Sequence, residues 1–202
     1  MAKVVGDQRA PTVERILDAA EHLVQTRGFN GFSYADLAAE LQISKASLHY
    51  HFAGKADLGV ALIERYTTRF FDALASIDAG DAGAPAKLEA YVDLYSGVLR
   101  DKRMCLCGML AAEYQTLPPP MREAVVRFMR LNERWLKTVL EKGRAEGTLS
   151  LTGSPSEAAR MILGTLEGAM LVSRPLGESA WFRAATRQML ASVISGDQPS
   201  TR

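Results

Sequence analysis

Residues 42–56 combine basic and imidazole side chains with no carboxylate. Lys45, His49, His51 and Lys55 lie in this stretch, which contains neither Asp nor Glu. Such a local excess of positive charge can lie against nucleic-acid phosphates, although the whole chain has a formal net charge of only +1. We therefore expect this stretch, rather than the overall charge, to provide a DNA contact.

The second group with distinctive chemistry is Cys105 and Cys107, which follow Lys102 and Arg103. Nearby cations and a helix N-terminus favour thiolate, so Cys105, and after it Cys107, is a candidate sensor of electrophiles or oxidants. A buried, inert thiol is the alternative. Two cysteines separated by one residue are too few for a disulfide framework and indicate a metal site only weakly. We expect no cofactor and no metal.

Apolar residues recur at helical spacing almost throughout the chain, and no segment alternates convincingly as a strand would. This pattern predicts an all-α protein of about nine helices. The first helix ends before Gly28, and the others cover about residues 34–41, 45–52, 55–77, 86–101, 105–116, 120–146, 155–173 and 178–195.

The second and third helices are short, and the tight turn 42–44 separates them. Ser33 and Ser44 are suited to cap their N-termini. Two short helices held by a first helix and the start of a fourth have the geometry of a helix-turn-helix, whose second helix enters the major groove of DNA. Small residues at the start of the third helix, Ala46 and Ser47, would let the backbone approach phosphate closely.

The 202 residues, 48% of them apolar, can bury a sizeable core. We expect a DNA-binding head at residues 10–55, a larger body at 56–196, and flexible tails at 1–9 and 197–202. No signal-peptide core is visible near the N-terminus, and no run approaches the roughly 18 apolar residues of a membrane span. The expected location is the cytoplasm, without a membrane partner.

The stretch from Ile16 to Leu58 resembles the DNA-binding head of the TetR/AcrR family of transcriptional repressors. The matching features are Arg27-Gly28-Phe29 after the first helix, Ile43-Ser44-Lys45 at the turn, and Tyr50-His51-Phe52 followed by Gly54-Lys55. Two positions depart from the family pattern. Tyr34 follows Ser33 where a threonine is common, and His49 stands where an aromatic residue is common.

The resemblance implies roles for individual residues of the head. Ser33 and Tyr34 would hydrogen-bond a backbone phosphate, while Tyr50, His51 and Lys55 would clamp phosphates. Contacts to base edges would come from Lys45, Ser47 and His49, with Ser44 and Ala46 beside them at the helix start. Phosphate contacts set the register and base contacts set the sequence preference.

The resemblance also implies a body that binds a small-molecule effector and forms a homodimer. The effector pocket would be lined by aromatic, sulfur-containing and polar residues, namely Tyr66, Phe70, Tyr91, Tyr95, Cys105, Met109, Glu113, Trp135 and Met170. The last two helices would supply the dimer interface, through Met161, Thr165, Gly168, Trp181, Ala185 and Met189. From the pattern alone, an intramolecular core explains these last residues equally well.

The expected function is a repressor that binds a palindromic double-stranded operator and is released by a small-molecule or thiol-reactive effector. The fourth helix would carry the change between body and head. Two alternatives remain: a small helical enzyme that uses Cys105, and a helical adaptor that binds proteins. The enzyme lacks a histidine near either cysteine in sequence, and the adaptor leaves the acid-free stretch 42–56 unexplained.

Overall fold

The computed structural model describes residues 9–194, with side chains from residue 12 onward. Within this part of the chain the fold is all-α, as predicted, with nine α-helices, one 3-10 helix and no strand. In chain order the elements are α1 (Arg9–Arg27), α2 (Tyr34–Leu41), α3 (Lys45–His51), α4 (Lys55–Ala79), α5 (Ala84–Arg100), α6 (Leu106–Ala112), a 3-10 helix (Tyr114–Thr116), α7 (Pro119–Ala145), α8 (Pro155–Leu176) and α9 (Ser179–Ala191).

Three predicted helix ends are wrong, those of the sixth, eighth and ninth helices, and the ninth stops at Ala191 instead of about residue 195. The sixth helix stops at Ala112 and continues as the 3-10 helix, so it is shorter than expected. Helix α8 runs through Pro175 to Leu176, because a proline in the last turn removes an amide without interrupting the turns before it. Gly177 then ends the helix in the left-handed conformation, with a φ of 66°. Residues 1–8 and 195–202, which include most of the predicted tails, lie outside the described residues.

The helices pack into two compact units. The first contains the described residues up to Thr68 together with Leu106–Val126, and the second contains Arg69–Cys105 and the described residues from Arg127 onward. These packing units do not coincide with the predicted DNA-binding head and body, which were separated between residues 55 and 56. The head and body were defined by their expected roles, and that division stays a prediction. In the first unit α6 packs against α1.

The first unit has one apolar core built from several helices. Its fully buried side chains include Ile16 on α1, Leu37 on α2, Leu48 on α3 and Leu58 on α4. Each buried aliphatic side chain contributes roughly 1.5–3 kcal/mol relative to an exposed one. Because α2 and α3 have only eight and seven residues, this burial rather than helix propensity must hold them in place.

In the second unit α8 packs against α9, and both contact α5. Buried side chains include Tyr91 on α5, Phe128 on α7, Leu166 on α8 and Phe182 on α9. Among the described residues, no helix combines the length and apolarity that a membrane span requires.

Candidate functional site

Helix α3 is held at its start by a cap and at its middle by the core. The hydroxyl of Ser44 accepts from the Ser47 amide at 3.1 Å, and Leu48 is fully buried. The opposite side of the helix is exposed at Lys45, Ala46, His49 and Tyr50, and the Tyr50 side chain is 63% exposed. The structure therefore presents one polar face of α3 to solvent, as the helix-turn-helix interpretation requires.

The turn between α2 and α3 depends on an unusual backbone conformation at Gln42. This residue has a φ of 55°, in the left-handed region, and its amide donates to the carbonyls of Ala38 and Ala39. Ile43 adds a second closing bond, from its amide to the Ala38 carbonyl at 3.0 Å. These bonds satisfy the last carbonyls of α2 and fix the direction in which α3 starts.

Ser33 and Tyr34 were expected to bind phosphate, and the structure corrects both assignments. The Ser33 hydroxyl donates to Asp36 at 2.7 Å within a capping box, and those hydrogen bonds lower the pKa of Asp36. The Tyr34 hydroxyl donates to the Phe52 carbonyl at 3.3 Å, and burial, with Asp57 nearby, raises the Tyr34 pKa to about 12. A hydroxyl has one hydrogen, so neither residue has one left for a phosphate.

Lys55 was expected to clamp a phosphate, which stays a prediction, and the structure shows two of its three N–H groups bonded within the first unit. Its ammonium group donates to the carbonyls of Phe29 and Phe32 and lies over both rings, 4.4 and 4.1 Å from their centroids. Burial lowers the pKa of Lys55, while Glu113 partly opposes the shift. The lysine ties the start of α4 to residues 28–32, which connect α1 to α2 and which we call the turn segment.

Glu113 was expected to orient an effector, but it lies in the first unit and binds the turn segment from the other side. Its carboxylate accepts from the amides of Phe29, at 2.6 Å, and Asn30, at 3.1 Å. Gly28 is required here: its φ is 85°, and a Cβ would lie 2.9 Å from the carboxylate. Glu113 and Lys55 thus satisfy the amides and the carbonyls of one short segment.

The two histidines of α3 differ in their surroundings. His49 is exposed, its Nδ1 is 3.0 Å from the Ala53 carbonyl, and its ring packs against Tyr34 at 5.0 Å. His51 is partly buried, and its Nδ1 has no hydrogen-bond partner. Both side chains therefore remain available as predicted DNA contacts, with His49 the more exposed.

A salt-bridge network that sequence reasoning missed joins α1 to α4 within the first unit. Arg65 binds three carboxylates of α1, Glu14, Asp18 and Glu21, at 2.8–2.9 Å. The only signal in the sequence was the spacing of the three acidic residues, which places them along one side of a helix. The network fixes the axis of α4 relative to α1.

The second unit contains a buried polar cluster on α5, α7 and α8. The Tyr91 hydroxyl donates to the Asn132 amide oxygen at 2.9 Å, so the Tyr95 hydroxyl, 3.1 Å away, must donate to Tyr91. Tyr91, Tyr95 and Asn132 are at most 2% exposed. Burial raises the pKa of both tyrosines well above its usual range, so both stay neutral. The amide nitrogen of Asn132 has no partner.

Glu167 and Cys105 complete this polar cluster. The Glu167 carboxyl is hydrogen-bonded to the Cys105 thiol, and burial raises the Glu167 pKa to about 7. The residue as a whole keeps some exposed surface, but its Oε1 is buried and has no hydrogen-bond partner. Cys105 is 1% exposed and precedes α6 instead of opening it. The neighbour of the thiol is therefore a carboxyl, whereas Lys102 and Arg103 were expected beside it.

The other predicted effector residues fall into two groups. Phe70, Trp135 and Met170 belong to the second unit: the Phe70 ring packs edge-on against Tyr91 at 6.2 Å, and the Trp135 ring stacks on Tyr91 at 5.3 Å. Met170 is fully buried on α8. Tyr66 and Met109 lie in the first unit.

Glu167 and Asn132 were missed by sequence reasoning, which examined aromatic and sulfur-containing residues. The available signal was that Glu167 is the only charged residue between Arg160 and Arg174 in the otherwise apolar middle of α8. A carboxylate in such a stretch is costly unless it is paired or functional.

Most of the predicted interface residues lie on accessible faces of α8 and α9. Met161 is 39% exposed, Trp181 is 42% exposed, and Gly168 is exposed, whereas Thr165 and Ala185 are partly exposed. Met189 is only 5% exposed in the single chain, so it is withdrawn from the predicted interface. Leu171 and Val172 add exposed apolar surface that the prediction did not include.

Comparisons with known proteins match both parts of the chain. Residues 16–62 match the family model of bacterial regulatory proteins, tetR family, and residues 84–189 match a Tetracyclin repressor-like C-terminal domain. A solved TetR-family transcriptional regulator from Agrobacterium tumefaciens is 34% identical, with a TM-score of 0.90 over 93% of this chain and 100% of that one.

Two named relatives are similar over most of the chain. The HTH-type transcriptional repressor NemR of Escherichia coli strain K12 is 28% identical over 170 residues, 81% of this chain and 84% of that protein. The transcriptional regulator AcuR of Cereibacter sphaeroides is 30% identical over 155 residues, 75% of this chain and 70% of that protein.

A capped helix-turn-helix with an exposed polar third helix, joined to a larger helical unit, defines a DNA-binding transcriptional regulator that responds to a ligand. The chain belongs to the TetR family of bacterial regulatory proteins. The family resemblance and the fold class predicted from the sequence are therefore confirmed.

Proposed function

We propose that the protein is a homodimeric repressor that holds a palindromic operator through α3 and releases it when a small-molecule effector binds the second unit. The observation that carries the proposal is the exposed polar face of α3 on a first unit whose turns are closed by hydrogen bonds. Its site of action would be cytoplasmic DNA, and no catalytic step is proposed.

Residues on the exposed face of α3 would make the DNA contacts. Lys45, Ser47 and His49 would reach base edges in the major groove, which is about 12 Å wide and admits one helix. Tyr50 and His51 would bind phosphate, with Ser44 and Ala46 allowing close approach. We leave Ser33 and Tyr34 out of this set because their hydroxyl hydrogens are used within the first unit, whereas Lys55 has a third N–H group that could still reach a phosphate.

The proposal for DNA is tested by selecting binding sites from random duplexes with the purified protein. The recovered site should be palindromic, because a two-fold symmetric dimer reads two equivalent half-sites. Affinity measured by fluorescence anisotropy should fall steeply with added salt, since each neutralised phosphate releases counterions. An enzyme or adaptor would yield no enriched sequence and no steep salt dependence.

The dimer would form through the exposed faces of α8 and α9. Gly164 and Gly168 are exposed, with open space where a Cβ would stand, so another helix can approach the α8 backbone closely. Leu171 is 56% exposed, and apolar surface of this kind on two helices suits a four-helix interface between two copies.

Trp181→Glu tests this interface. It should shift the protein to monomer in analytical ultracentrifugation, because the symmetric contact would bury two unpaired carboxylates. Val126→Glu is the matched control, since Val126 is also an exposed apolar residue, 37% exposed, but lies in the first unit. A dimer that survives Trp181→Glu and dissociates with Val126→Glu would place the interface elsewhere.

Release would be a shift between two populated states. Helix α4 runs without interruption from Lys55 to Ala79 and therefore belongs to both units, and Cys105 is covalently followed by α6 of the first unit. Helix α7, Pro119–Ala145, also belongs to both units, so an effector bound in the second unit would act on the first through these three connections. It must bind the two states unequally, since equal affinity shifts nothing.

A further inference from the structure

The polar cluster of Tyr91, Tyr95, Asn132, Cys105 and Glu167 has a definite remaining hydrogen-bonding capacity. The Tyr95 hydroxyl donates to the Tyr91 hydroxyl, which in turn donates to the Asn132 amide oxygen, so both hydroxyl hydrogens are used. The thiol of Cys105 is bonded to the Glu167 carboxyl. What remains is the Asn132 amide nitrogen, a donor, and Oε1 of Glu167, an acceptor when ionised, both buried and unpartnered.

Buried polar atoms without partners are rare in native proteins, and each leaves a penalty of roughly 1–3 kcal/mol. Here two of them, one donor and one acceptor, lie around the same pair of tyrosines. Glu167 acts electrostatically on both Tyr91 and Tyr95, and so does Cys105. Three elements, α5, α7 and α8, therefore contribute to one polar cluster that lacks two hydrogen bonds.

The charge of Glu167 indicates what the ligand should bring. Burial and the Cys105 hydrogen bond are the influences on its carboxyl, and no cation contributes. Aromatic rings surround the tyrosines: Phe70 meets both Tyr91 and Tyr95 edge-on, and Trp135 stacks on Tyr91. A carboxylate that acts electrostatically on two tyrosines, which are themselves in contact with other aromatic rings, favours an organic cation, because a cation can pair with the carboxylate and be attracted by the rings.

We infer that the effector is a small protonated organic amine that also carries an oxygen acceptor, with the ammonium bound to Glu167 and the oxygen bound to the amide of Asn132. The inference rests on the proposed effector-released repressor and names the chemistry of its effector. Because the site lies inside the second unit, ligand binding can be measured without DNA, so failure of the inference is separable from failure of the repressor function.

Three probes of one shape test the sign of the charge: 2-phenoxyethylamine, 2-phenoxyethanol and phenoxyacetate. Isothermal titration calorimetry on the full chain should show the amine binding most tightly. In Glu167→Gln its affinity should fall about 10- to 100-fold, the loss expected for a hydrogen bond to a charged group, while the affinity of the alcohol stays unchanged. Glu141→Gln, at an exposed position on α7, is the matched control and should bind like the natural protein.

The natural protein alone gives a second test, which holds even if Glu167→Gln does not fold. Because the Glu167 pKa is about 7, an amine that requires the carboxylate should release roughly half a proton per site at pH 7. Titrations in buffers of different ionisation enthalpy measure this release. Tyr91 and Tyr95 stay protonated, and the same titration of Cys105→Ser excludes a contribution from the thiol.

Proton uptake on binding would mean that a neutral Glu167 donates to the ligand, and it would overturn the inference. Equal or tighter binding of the alcohol or of phenoxyacetate would overturn it as well, and so would binding by none of the three probes. Operator release by the amine, followed by anisotropy, then links the site to the proposed function. An amine that binds Glu167 but leaves the operator occupied would preserve the site and contradict only its role as the effector site.

Discussion

The turn segment of the first unit and the polar cluster of the second differ in how many of their polar groups have hydrogen-bond partners. Around residues 28–32, Glu113 accepts hydrogen bonds from two amides and Lys55 donates to two carbonyls. Each charged side chain therefore has hydrogen-bond partners inside the protein. In the polar cluster, Glu167 and Asn132 each keep a buried atom without a partner.

This difference separates a segment that must stay rigid from one that can accept a ligand. A closed network fixes the start of α2 and so helps to orient α3, because binding to DNA requires the recognition helix at a set position. An open cluster carries a penalty that a ligand can relieve, and this penalty is a source of binding free energy. Substitutions in the two places should therefore change stability with opposite signs.

The largest expected effect is that of Glu113→Ala in the closed network. It leaves the amides of Phe29 and Asn30 without their charged acceptor, which should lower the free energy of unfolding by about 3 kcal/mol. Urea denaturation measures the loss, and Glu141→Ala, at an exposed carboxylate, serves as control. A change below that of the control would show that the turn segment does not depend on Glu113.

A somewhat smaller loss is expected from Lys55→Met, about 2 kcal/mol, because the carbonyls of Phe29 and Phe32 lose their donor. Lys45→Met is the matched comparison, since this exposed lysine lies ten residues earlier on α3. Lys45→Met should leave the melting temperature unchanged but weaken DNA binding. If Lys55→Met instead weakened DNA binding without any loss of stability, Lys55 would be a phosphate contact after all.

In the open cluster, Glu167→Gln should stabilise the protein at alkaline pH. Burial raises the Glu167 pKa to about 7 from its ordinary value of 4.5, so the folded protein loses stability as pH rises from about 4.5 through 7. Above that range the substitution should add up to about 3 kcal/mol to the free energy of unfolding, less the cost of burying the Gln amide, and at pH 4 it should add nothing. Denaturation at both pH values checks this, and a destabilised Gln variant at pH 8 would mean that Glu167 already has a partner.

The smallest effect is expected for Cys105→Ser, because a serine hydroxyl can also donate to Glu167. Operator affinity should stay within about twofold of the natural protein, a change of less than 1 kcal/mol. N-ethylmaleimide should leave the natural protein on its operator, because Cys105 and Cys107 are both buried. Operator release by N-ethylmaleimide that is lost in Cys105→Ser and kept in Cys107→Ser would instead support the thiol sensor predicted from the sequence.

Local features of the sequence predicted much of the first unit. The helix starts at Ser33 and Ser44 depend on groups three residues away, so the sequence predicts them directly. The apolar spacing of α1 likewise lies within one helix and can be recognised without knowing the fold. The acid-free stretch 42–56 marked the recognition helix for the same reason. These features also carry the family resemblance that the comparisons confirm.

Roles that depend on distant partners could not be predicted in this way. Glu113 lies 84 residues from Phe29 in sequence, and nothing near it indicates that its carboxylate binds a turn in the first unit. Lys55 looked like a surface cation because its carbonyl partners belong to another segment. Glu167 and Asn132 come from different helices, so only their packing shows that both leave a polar atom open.

The central claim is that the exposed face of α3 binds DNA, and it is tested most directly by comparing two exposed lysines. Operator affinity should be measured by fluorescence anisotropy for Lys45→Ala and for Lys137→Ala, whose side chain on α7 is 46% exposed. We predict that Lys45→Ala weakens binding at least tenfold, since each dimer would lose two contacts of about 1–3 kcal/mol, while Lys137→Ala binds normally. Equal affinities for the two variants would contradict the account.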